Sequence, residues 1–194
     1  MILAPPPVER SEERDALLRA SLPHVARLGW TVAALRKGAA SLGLAPETPE
    51  WLFPRGGVGA LEAWCDLADR RMAEGAQLEG LRTPGRIRAL IARRLEQAAP
   101  HKEAVRQGLA TLSLPWNART LARTTLRTAD ATWRAAGDVS TDLSRYTRRA
   151  TLAALYGSVL AYWMTDSDED SAATLRFLDR QLSRLGRLQR RRAR

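Results

Sequence analysis

Few side chains in this sequence have the types and spacing that catalysis requires. The only two histidines, His24 and His101, are far apart in the sequence, and His24 follows a proline. No metal-ligand spacing, phosphate-binding loop or nucleophile elbow is found. The single cysteine, Cys65, excludes an internal disulfide and is expected to be a small buried hydrophobe. We therefore predict that the protein is not an enzyme and uses neither a metal nor a cofactor.

Acidic residues are clustered at 165–171, in the stretch TDSDEDS, with an acid at every second position from Asp166 to Asp170. This spacing matches the first three ligands of a calcium-binding loop. The rest of the pattern is missing, because Ser171 stands where the loop requires glycine and Phe177 where it requires a bidentate glutamate. Acids that precede a helix also favour its positive N-terminal end. We interpret the cluster as a helix start.

Positive charge is concentrated at the C-terminal end of the sequence. The 194-residue chain has a net charge of +10, and from Arg176 onward eight arginines face the single acid Asp179. Such a patch favours a polyanionic partner, which is nucleic acid, an anionic lipid surface or an acidic protein. A frayed, solvated terminus is the alternative interpretation.

The elements that must position these residues are helical. Apolar residues recur with helical spacing almost throughout, without the alternation typical of strands. We predict an all-α fold of eight or nine helices, with a disordered leader at 1–10, a single domain at 11–182 and a basic tail at 183–194. The predicted helices are 11–22, bent or ended by Pro23, then one between Thr31 and Gly43, then 46–53, 57–72, 84–98, 102–112, 120–136, 142–164 and 172–191.

The first three predicted helices, within 11–56, suggest a helix-turn-helix of the tetracycline-repressor type. A recognition helix needs side chains that reach bases and phosphates. The third helix is instead short and contains Glu47 and Glu50, and no basic residue follows until Arg55. The helix-turn-helix is therefore predicted to be degenerate, without sequence-specific binding of nucleic acid.

The longest apolar run, 150–164, has large side chains pointing in all directions with small residues between them. A helix of this kind is buried all round or lines something apolar. Two interpretations stay open from the residues alone: a tightly packed core helix, or the wall of a cavity that holds an apolar ligand.

A polar stretch precedes that run. Ser140 or Thr141 can cap the following helix, and Tyr146 and Arg149, three residues apart, lie on one face of it. Arg149 is placed to pair with Asp138 or Asp142, and Trp133 is expected to pack against the same corner. The polar stretch is either a structural ion pair at a helix start or a docking patch for a partner.

The stretch ADATWRAAGDVSTDLSRYTRRATLAALY, at 129–156, together with LFPRGG and LSLPWN, resembles the ubiquinone-biosynthesis accessory protein family, coenzyme Q protein nine and its bacterial relatives. The resemblance extends over roughly 15–182. It implies a tetracycline-repressor-like bundle that has lost DNA binding and that binds isoprenoid lipids in an apolar pocket. It further implies presentation of a quinone intermediate to the demethoxyubiquinone hydroxylase, and so it favours the cavity interpretation.

The resemblance also implies site residues. An isoprenoid quinone precursor or a phospholipid would contact Trp133, Leu152, Leu155, Tyr156, Gly157, Val159, Leu160 and Trp163. The hydroxylase would contact Asp142, Arg145, Tyr146 and Arg149. Some family members have a tryptophan where this sequence has Arg145, which puts that contact in doubt. Whether the chain forms a homodimer is left open.

The last helix has leucines at spacings of three and four with arginines on its other faces, a pattern of helices that lie in a membrane interface. We expect its first leucines, to Leu182, to pack inward and its end to contact an anionic membrane. The expected membrane contacts are Leu185, Arg187, Leu188, Arg190, Arg191 and Arg192. The N-terminal residues resemble neither a secretory signal nor a mitochondrial presequence, so we predict a cytoplasmic protein attached peripherally to a bacterial inner membrane.

Overall fold

The computed structural model describes residues 8–139, 144–168 and 170–192, which form nine α-helices, two short 3-10 helices and no strand. The helices are α1 (Glu12–Leu28), α2 (Val32–Ser41), α3 (Thr48–Leu52), α4 (Gly56–Ala73), α5 (Thr83–Ala98), α6 (Lys102–Leu112), α7 (Ala118–Ala135), α8 (Ser144–Thr165) and α9 (Ala172–Arg192). The 3-10 helices are Ala99–His101 and Pro115–Asn117. The prediction of an all-α fold is confirmed.

The first helix is longer than predicted, because Pro23 lies inside α1 rather than at its end. Proline removes one backbone hydrogen bond from a helix, but Leu22 and Val25 on either side of it are buried in the core. The helix continues through Pro23 because it buries those residues. It ends at Gly29, which has a φ of +66° and donates its N–H to the carbonyl of Val25.

The chain divides into two compact units, and the three boundaries between them fall within α4, the first 3-10 helix and α7. Unit 1 comprises residues 1–70 and 100–127, and unit 2 comprises residues 71–99 and 128–194. Unit 1 is built around a core of buried apolar side chains from α1, α2, α4 and α6, with Phe53 from the connection before α4. Cys65 is half-buried and packs against this core, so it is less buried than predicted.

Two backbone segments of unit 1 are in direct contact at Gly57, in the first turn of α4. A Cβ at this position would lie 1.8 Å from the carbonyl oxygen of Trp30, so only glycine fits. Trp30 is held in turn by a 2.9 Å hydrogen bond from its Nε1 to the carbonyl of Ala104 in α6. The start of α4 is therefore packed closely against the residues that precede α2.

The helix-turn-helix segment of unit 1 ends in a very short third helix. α3 has five residues, and its Glu50 forms an ion pair with Arg36 of α2. The predicted N-cap of α2 is confirmed, because Thr31 Oγ1 accepts a 3.2 Å hydrogen bond from the amide of Ala34. α3 is thus too short to expose more than about one turn, at 3.6 residues per turn.

In unit 2, side chains from α5, α8 and α9 make direct contacts with one another. Tyr162 of α8 stacks on Phe177 of α9 with ring centroids 4.7 Å apart. Arg88 of α5 donates a 2.6 Å hydrogen bond to Asp179 of α9. Trp163, in α8, is almost completely buried. The apolar run singled out in the sequence therefore contributes buried side chains to the interior of unit 2.

The two ends of the chain differ from the predicted leader and tail. Val8 packs against the core of unit 1, and Arg10 donates two hydrogen bonds to Asp66 at 2.7 and 2.9 Å. The last part of the predicted leader is therefore packed, and residues 1–7 lie outside the described residues. α9 continues to Arg192, so the predicted tail begins as helix. Among the described residues, no helix combines enough length with enough apolar character to cross a membrane.

Candidate functional site

Charged side chains from the end of α7, the loop after it and the start of α8 form one connected group, here called the corner cluster. It consists of Asp130, Arg134, Asp138, Arg145, Arg148 and Arg149. Asp130 pairs with three arginines and Asp138 with two, and among the described residues only Arg149 pairs with both carboxylates. The carboxylates are therefore surrounded by guanidinium groups from both helices.

Arg149 is the centre of the corner cluster and is only 7% exposed. Its Nε donates to Asp130, and its Nη1 donates to Asp138 at 3.2 Å and to the carbonyl of Arg145 at 3.3 Å. The predicted pairing of Arg149 with Asp138 is thus confirmed, while Asp142 lies outside the described residues. Arg149 joins α7, the loop and α8 through these contacts.

The ionisation of Asp130 follows from this arrangement. Burial of the carboxylate on its own would raise the pKa of Asp130. The hydrogen bond from Arg149 and the charges of Arg134, Arg149 and Arg145 outweigh burial, so the pKa is lowered from its ordinary value. Asp130 is therefore ionised at neutral pH and holds the arginines in place.

Next to the buried ion pairs, the corner presents an exposed surface. Tyr146 is 55% exposed and Val139 is 90% exposed. Trp133 is half-buried, and its Nε1 donates a 3.2 Å hydrogen bond to the carbonyl of Arg148, so it packs at this corner as predicted. The structure thus separates two residues that the sequence placed together: Arg149 is buried in ion pairs and Tyr146 faces solvent.

α8 has one buried apolar face, here called its inner face. It consists of Leu152, Leu155, Tyr156, Val159 and Trp163. Both polar atoms on this face have partners: Tyr156 Oη accepts a 2.8 Å hydrogen bond from Arg94 Nε, and Trp163 Nε1 donates to Ser171 Oγ at 2.9 Å. Leu160 is half-buried. Most of the predicted lipid contacts therefore lie together on one face of the helix.

The opposite face of α8, here called its outer face, is open to solvent. It consists of Ala150, Ala154, Gly157, Ser158 and Ala161. A Cβ at Gly157 would meet no atom within 4 Å. The expectation that this helix is buried all round is therefore wrong. The small residues are exposed, because small side chains lose little by remaining in water.

Along α9 the structure describes only part of the predicted membrane contact. Leu178 is fully buried, while Leu182 and Leu185 are half-buried and Arg184 is exposed. The side chains of residues 187–192 lie outside the described residues. The contacts predicted for Arg187, Leu188 and the three arginines after them therefore stay predictions.

The acidic stretch before α9 has a structural role. Asp166 is buried and accepts a 2.9 Å hydrogen bond from the amide of Thr174 in the first turn of α9, and one from the hydroxyl of the same residue. It also accepts from the amide of Asp168 at 3.1 Å. Its oxygens are thus engaged at a helix start, which agrees with the interpretation made from the sequence.

Comparison with known proteins finds similarity to one family. A family model described as COQ9 matches residues 118–189. The human "Ubiquinone biosynthesis protein COQ9, mitochondrial" is 32% identical over 184 residues, which cover 89% of this chain and 58% of the human protein. The corresponding protein of Drosophila melanogaster is 28% identical over 186 residues, with 91% and 56% covered. The chain is therefore similar to COQ9 proteins over most of its own length.

The fold of this chain is also found in a solved structure. The TetR transcriptional regulator from Nitrosomonas europaea ATCC 19718 matches with a TM-score of 0.70 and 26% identity, over 89% of this chain and 97% of the regulator. The tetracycline-repressor-like fold is therefore confirmed. The chain spans less than two thirds of the length of the COQ9 relatives described above.

The part that matches the COQ9 model contains α7, α8 and most of α9. Both the corner cluster and the inner face of α8 lie in this part. Arg94 of α5 lies outside it and was missed from the sequence, although it is buried and bonded to Tyr156. Arg94 is one of four arginines on α5, and the sequence gives no signal that it is the buried one.

Proposed function

We propose that this chain belongs to the COQ9 family and is a non-catalytic accessory protein of ubiquinone biosynthesis, which binds an isoprenoid quinone intermediate or a phospholipid. In this proposal it presents the quinone to the demethoxyubiquinone hydroxylase at a membrane surface. The observation that carries the proposal is the match of α7–α9 to the COQ9 model. These helices contain both a buried apolar face and an exposed corner, and the two are tested separately.

Lipid binding is assigned to the inner face of α8. Its large side chains are apolar, and its two polar atoms already have hydrogen-bond partners. An isoprenoid chain has no polar group to satisfy, and its burial contributes about 25 cal/mol per Å² of apolar area removed from water. Because these side chains are already buried, a lipid tail contacts this face only if the groups that cover it move apart, and it then leaves neither polar atom of the face unpaired.

Native mass spectrometry of the full chain, before and after incubation with a short-chain ubiquinone precursor, tests this assignment. The variant Val159→Phe crowds the inner face, and the matched control Gly157→Leu adds a side chain on the outer face. We expect uptake to be lost in Val159→Phe and kept in Gly157→Leu, with thermal unfolding showing that both variants fold. A wild-type chain that stays empty with every precursor and phospholipid would contradict lipid binding.

Hydroxylase binding is assigned to the exposed surface beside the corner cluster, where Tyr146 protrudes. Exposed tyrosines often contribute most of the affinity at the centre of an interface. We expect Tyr146→Ala to weaken binding of purified hydroxylase at least about tenfold in a surface-immobilised assay. The control is Thr147→Ala, since Thr147 is the exposed neighbour. Equal affinity of the two variants would count against this surface.

Membrane attachment is assigned to the end of α9, where the sequence has arginines at 190, 191 and 192. Each arginine near an anionic leaflet contributes about 1 kcal/mol. We expect co-flotation with anionic vesicles that is lost at high salt and on replacement of the three arginines by serine. The proposal places the protein at a bacterial inner membrane, and unchanged flotation of the serine variant would contradict the assignment to α9.

A second candidate function is DNA-binding regulation, which the likeness to a solved transcriptional regulator favours. Against it, Glu50 of α3 is already paired with Arg36, and α3 has only five residues. Gel shifts over a range of salt concentrations separate the two. We expect weak, salt-sensitive binding without sequence preference, and a specific footprint would favour the regulator instead.

A further inference from the structure

Unit 1 contains a cavity that the proposed function does not use. Its volume is about 180 Å³, and it lies between α1, the connection before α4, the start of α4 and the middle of α7. Its lining residues include Arg14, Glu62, Arg55, Arg123 and Arg127. We call it the arginine pocket. It holds the equivalent of several waters, at about 30 Å³ each, which is room for a small ion rather than an isoprenoid chain.

Three of the arginines converge on one carboxylate. Glu62 Oε1 accepts a 2.5 Å hydrogen bond from Arg127, and Oε2 accepts from Arg55 and, at 3.1 Å, from Arg123. Burial would raise the pKa of Glu62, but the hydrogen bonds from Arg127 and Arg55 and the charge of Arg123 outweigh it and lower the pKa. Glu62 is thus ionised at neutral pH and fixes three guanidinium groups around the pocket.

The fourth arginine, Arg14, is held by different contacts. It is 8% exposed, its guanidinium lies 4.6 Å from the centre of the Phe53 ring, and its Nη1 donates to the carbonyl of Leu52 and to Glu9 at 3.0 Å. A buried charge of this kind is costly unless it is paired. Its partner Glu9 is largely exposed, so the compensation from that side is weak.

Two side-chain donors of the pocket are buried. Among the described residues, the Nε atoms of Arg14 and Arg123 are both out of contact with water and without a hydrogen-bond partner. A buried donor left unpaired destabilises the fold, because it has lost its hydrogen bonds to water and gained none in return. Both residues line the pocket, but their Nε atoms are closed to a water-sized probe, so an acceptor placed there reaches them only if the two side chains turn.

The charge of the pocket points to the same kind of ligand. Four arginines line it against two carboxylates, Glu9 and Glu62, which leaves a surplus of two positive charges. The pocket also includes Gly59, in the first turn of α4, where the helix dipole favours an anion. A dianion with several acceptor oxygens balances this surplus.

We propose that the arginine pocket binds a phosphate group carrying two negative charges, either as inorganic phosphate or as the phosphomonoester headgroup of a lipid. Guanidinium groups and phosphate oxygens match in geometry and charge. The pocket is formed by unit 1 alone, so the proposal does not depend on lipid binding by α8 in unit 2.

The test uses the full chain in a buffer without phosphate. Isothermal titration with inorganic phosphate measures affinity, and sodium chloride of equal ionic strength is the reference for thermal stabilisation. We expect saturable binding of phosphate, and Arg123→Gln to weaken it about tenfold or more, because a hydrogen bond to a charged group is lost. Arg119→Gln is the matched control, since it removes the same charge from an exposed position of the same helix.

A second variant keeps the test valid if Arg123→Gln does not fold. Arg55 is half-exposed, with hydrogen bonds to Glu62 and to Thr120, and we expect Arg55→Gln to retain the fold, as checked by circular dichroism. Its loss of phosphate affinity should be similar to that of Arg123→Gln. Equal affinity of Arg119→Gln and both pocket variants would overturn the proposal.

The two sources of phosphate are separated with vesicles. Phosphatidylcholine vesicles containing phosphatidic acid present a phosphomonoester, whereas those containing phosphatidylserine carry charge without one. Binding of inorganic phosphate that depends on Arg123 supports a soluble ligand. Preference for phosphatidic acid that depends on Arg123, without binding of free phosphate, supports a lipid headgroup. If neither dependence on Arg123 is observed, the pocket is not a phosphate site.

Discussion

The corner cluster of unit 2 and the arginine pocket of unit 1 contain the same charges but differ in where the surplus charge lies. Each has four arginines and two carboxylates among the described residues. In the corner cluster, Arg134, Arg145 and Arg148 are partly or largely exposed. In the arginine pocket, Arg14 and Arg123 have buried Nε atoms without an acceptor in the part of the chain that the structure describes.

This difference shows that a count of charges does not identify a binding site. Surplus guanidinium groups at a surface are solvated and contribute little to stability. A buried donor without an acceptor is costly. A ligand that supplies the missing acceptor therefore gains binding free energy at that place. We therefore interpret the corner cluster as a set of ion pairs that join α7 to α8 beside an exposed surface, and the pocket as an anion site.

The largest expected effect is from loss of the central arginine of the corner cluster. Arg149→Ala leaves Asp130 and Asp138 without their buried partner, and breaking a buried pair costs about 3–5 kcal/mol. Urea unfolding should show this loss. Arg134→Gln, at an arginine that is 68% exposed in its side chain, should change the free energy of unfolding by less than about 1 kcal/mol. Similar losses of unfolding free energy in both variants would mean that Arg149 does not join the two helices.

In the arginine pocket, we expect Glu62→Gln to lower the free energy of unfolding by about 2 kcal/mol, because three guanidinium groups lose their shared carboxylate. Phosphate should recover part of this loss, since the surplus positive charge is larger in the variant. Urea unfolding with and without phosphate measures both quantities. A greater loss in the presence of phosphate would contradict the difference drawn between the two clusters.

The two clusters should behave alike in acid, because the pKa of Asp130 and that of Glu62 are both lowered in the folded state. The unfolded chain then takes up protons more readily, so the stabilisation is complete above the ordinary carboxyl pKa of about 4. It is lost as the pH falls through the lowered folded values. Asp130→Asn and Glu62→Gln should each give a shallower decline of stability with acid, and slopes equal to wild type would contradict the assignment.

The smallest effect on stability is expected at the exposed part of the corner. Tyr146 is more than half-exposed, so Tyr146→Ala should change the free energy of unfolding by no more than about 0.5 kcal/mol. A larger loss in urea unfolding would mean that Tyr146 contributes to the packing of the corner. Any loss of hydroxylase binding would then be explained by loss of stability.

The helices were predictable from the sequence because their apolar residues recur with a period near 3.6. The corner was partly predictable for a similar reason, since Asp138 and Arg149 are separated by a single loop. α1 was predicted too short because proline propensity is a local signal, whereas burial of Leu22 and Val25 depends on the whole of unit 1.

The two faces of α8 were not predicted, although a signal was present. Ala150, Ala154, Gly157 and Ala161 recur at spacings of three and four and so share one face. A pattern that counts small apolar residues together with large ones conceals the difference in exposure. The arginine pocket had no local signal, because Glu62 and its partners Arg123 and Arg127 are more than 60 positions apart.

The close contact at Gly57 has a consequence for the arginine pocket. The backbone of α4 lies against the carbonyl of Trp30, and the Trp30 side chain is hydrogen-bonded to α6, so these contacts resist movement of the first turn of α4. Arg55 and Gly59 flank this fixed point and are pre-organised before any anion arrives. The entropy cost of ordering these donors was therefore met when the chain folded. An anion that binds does not have to meet it again.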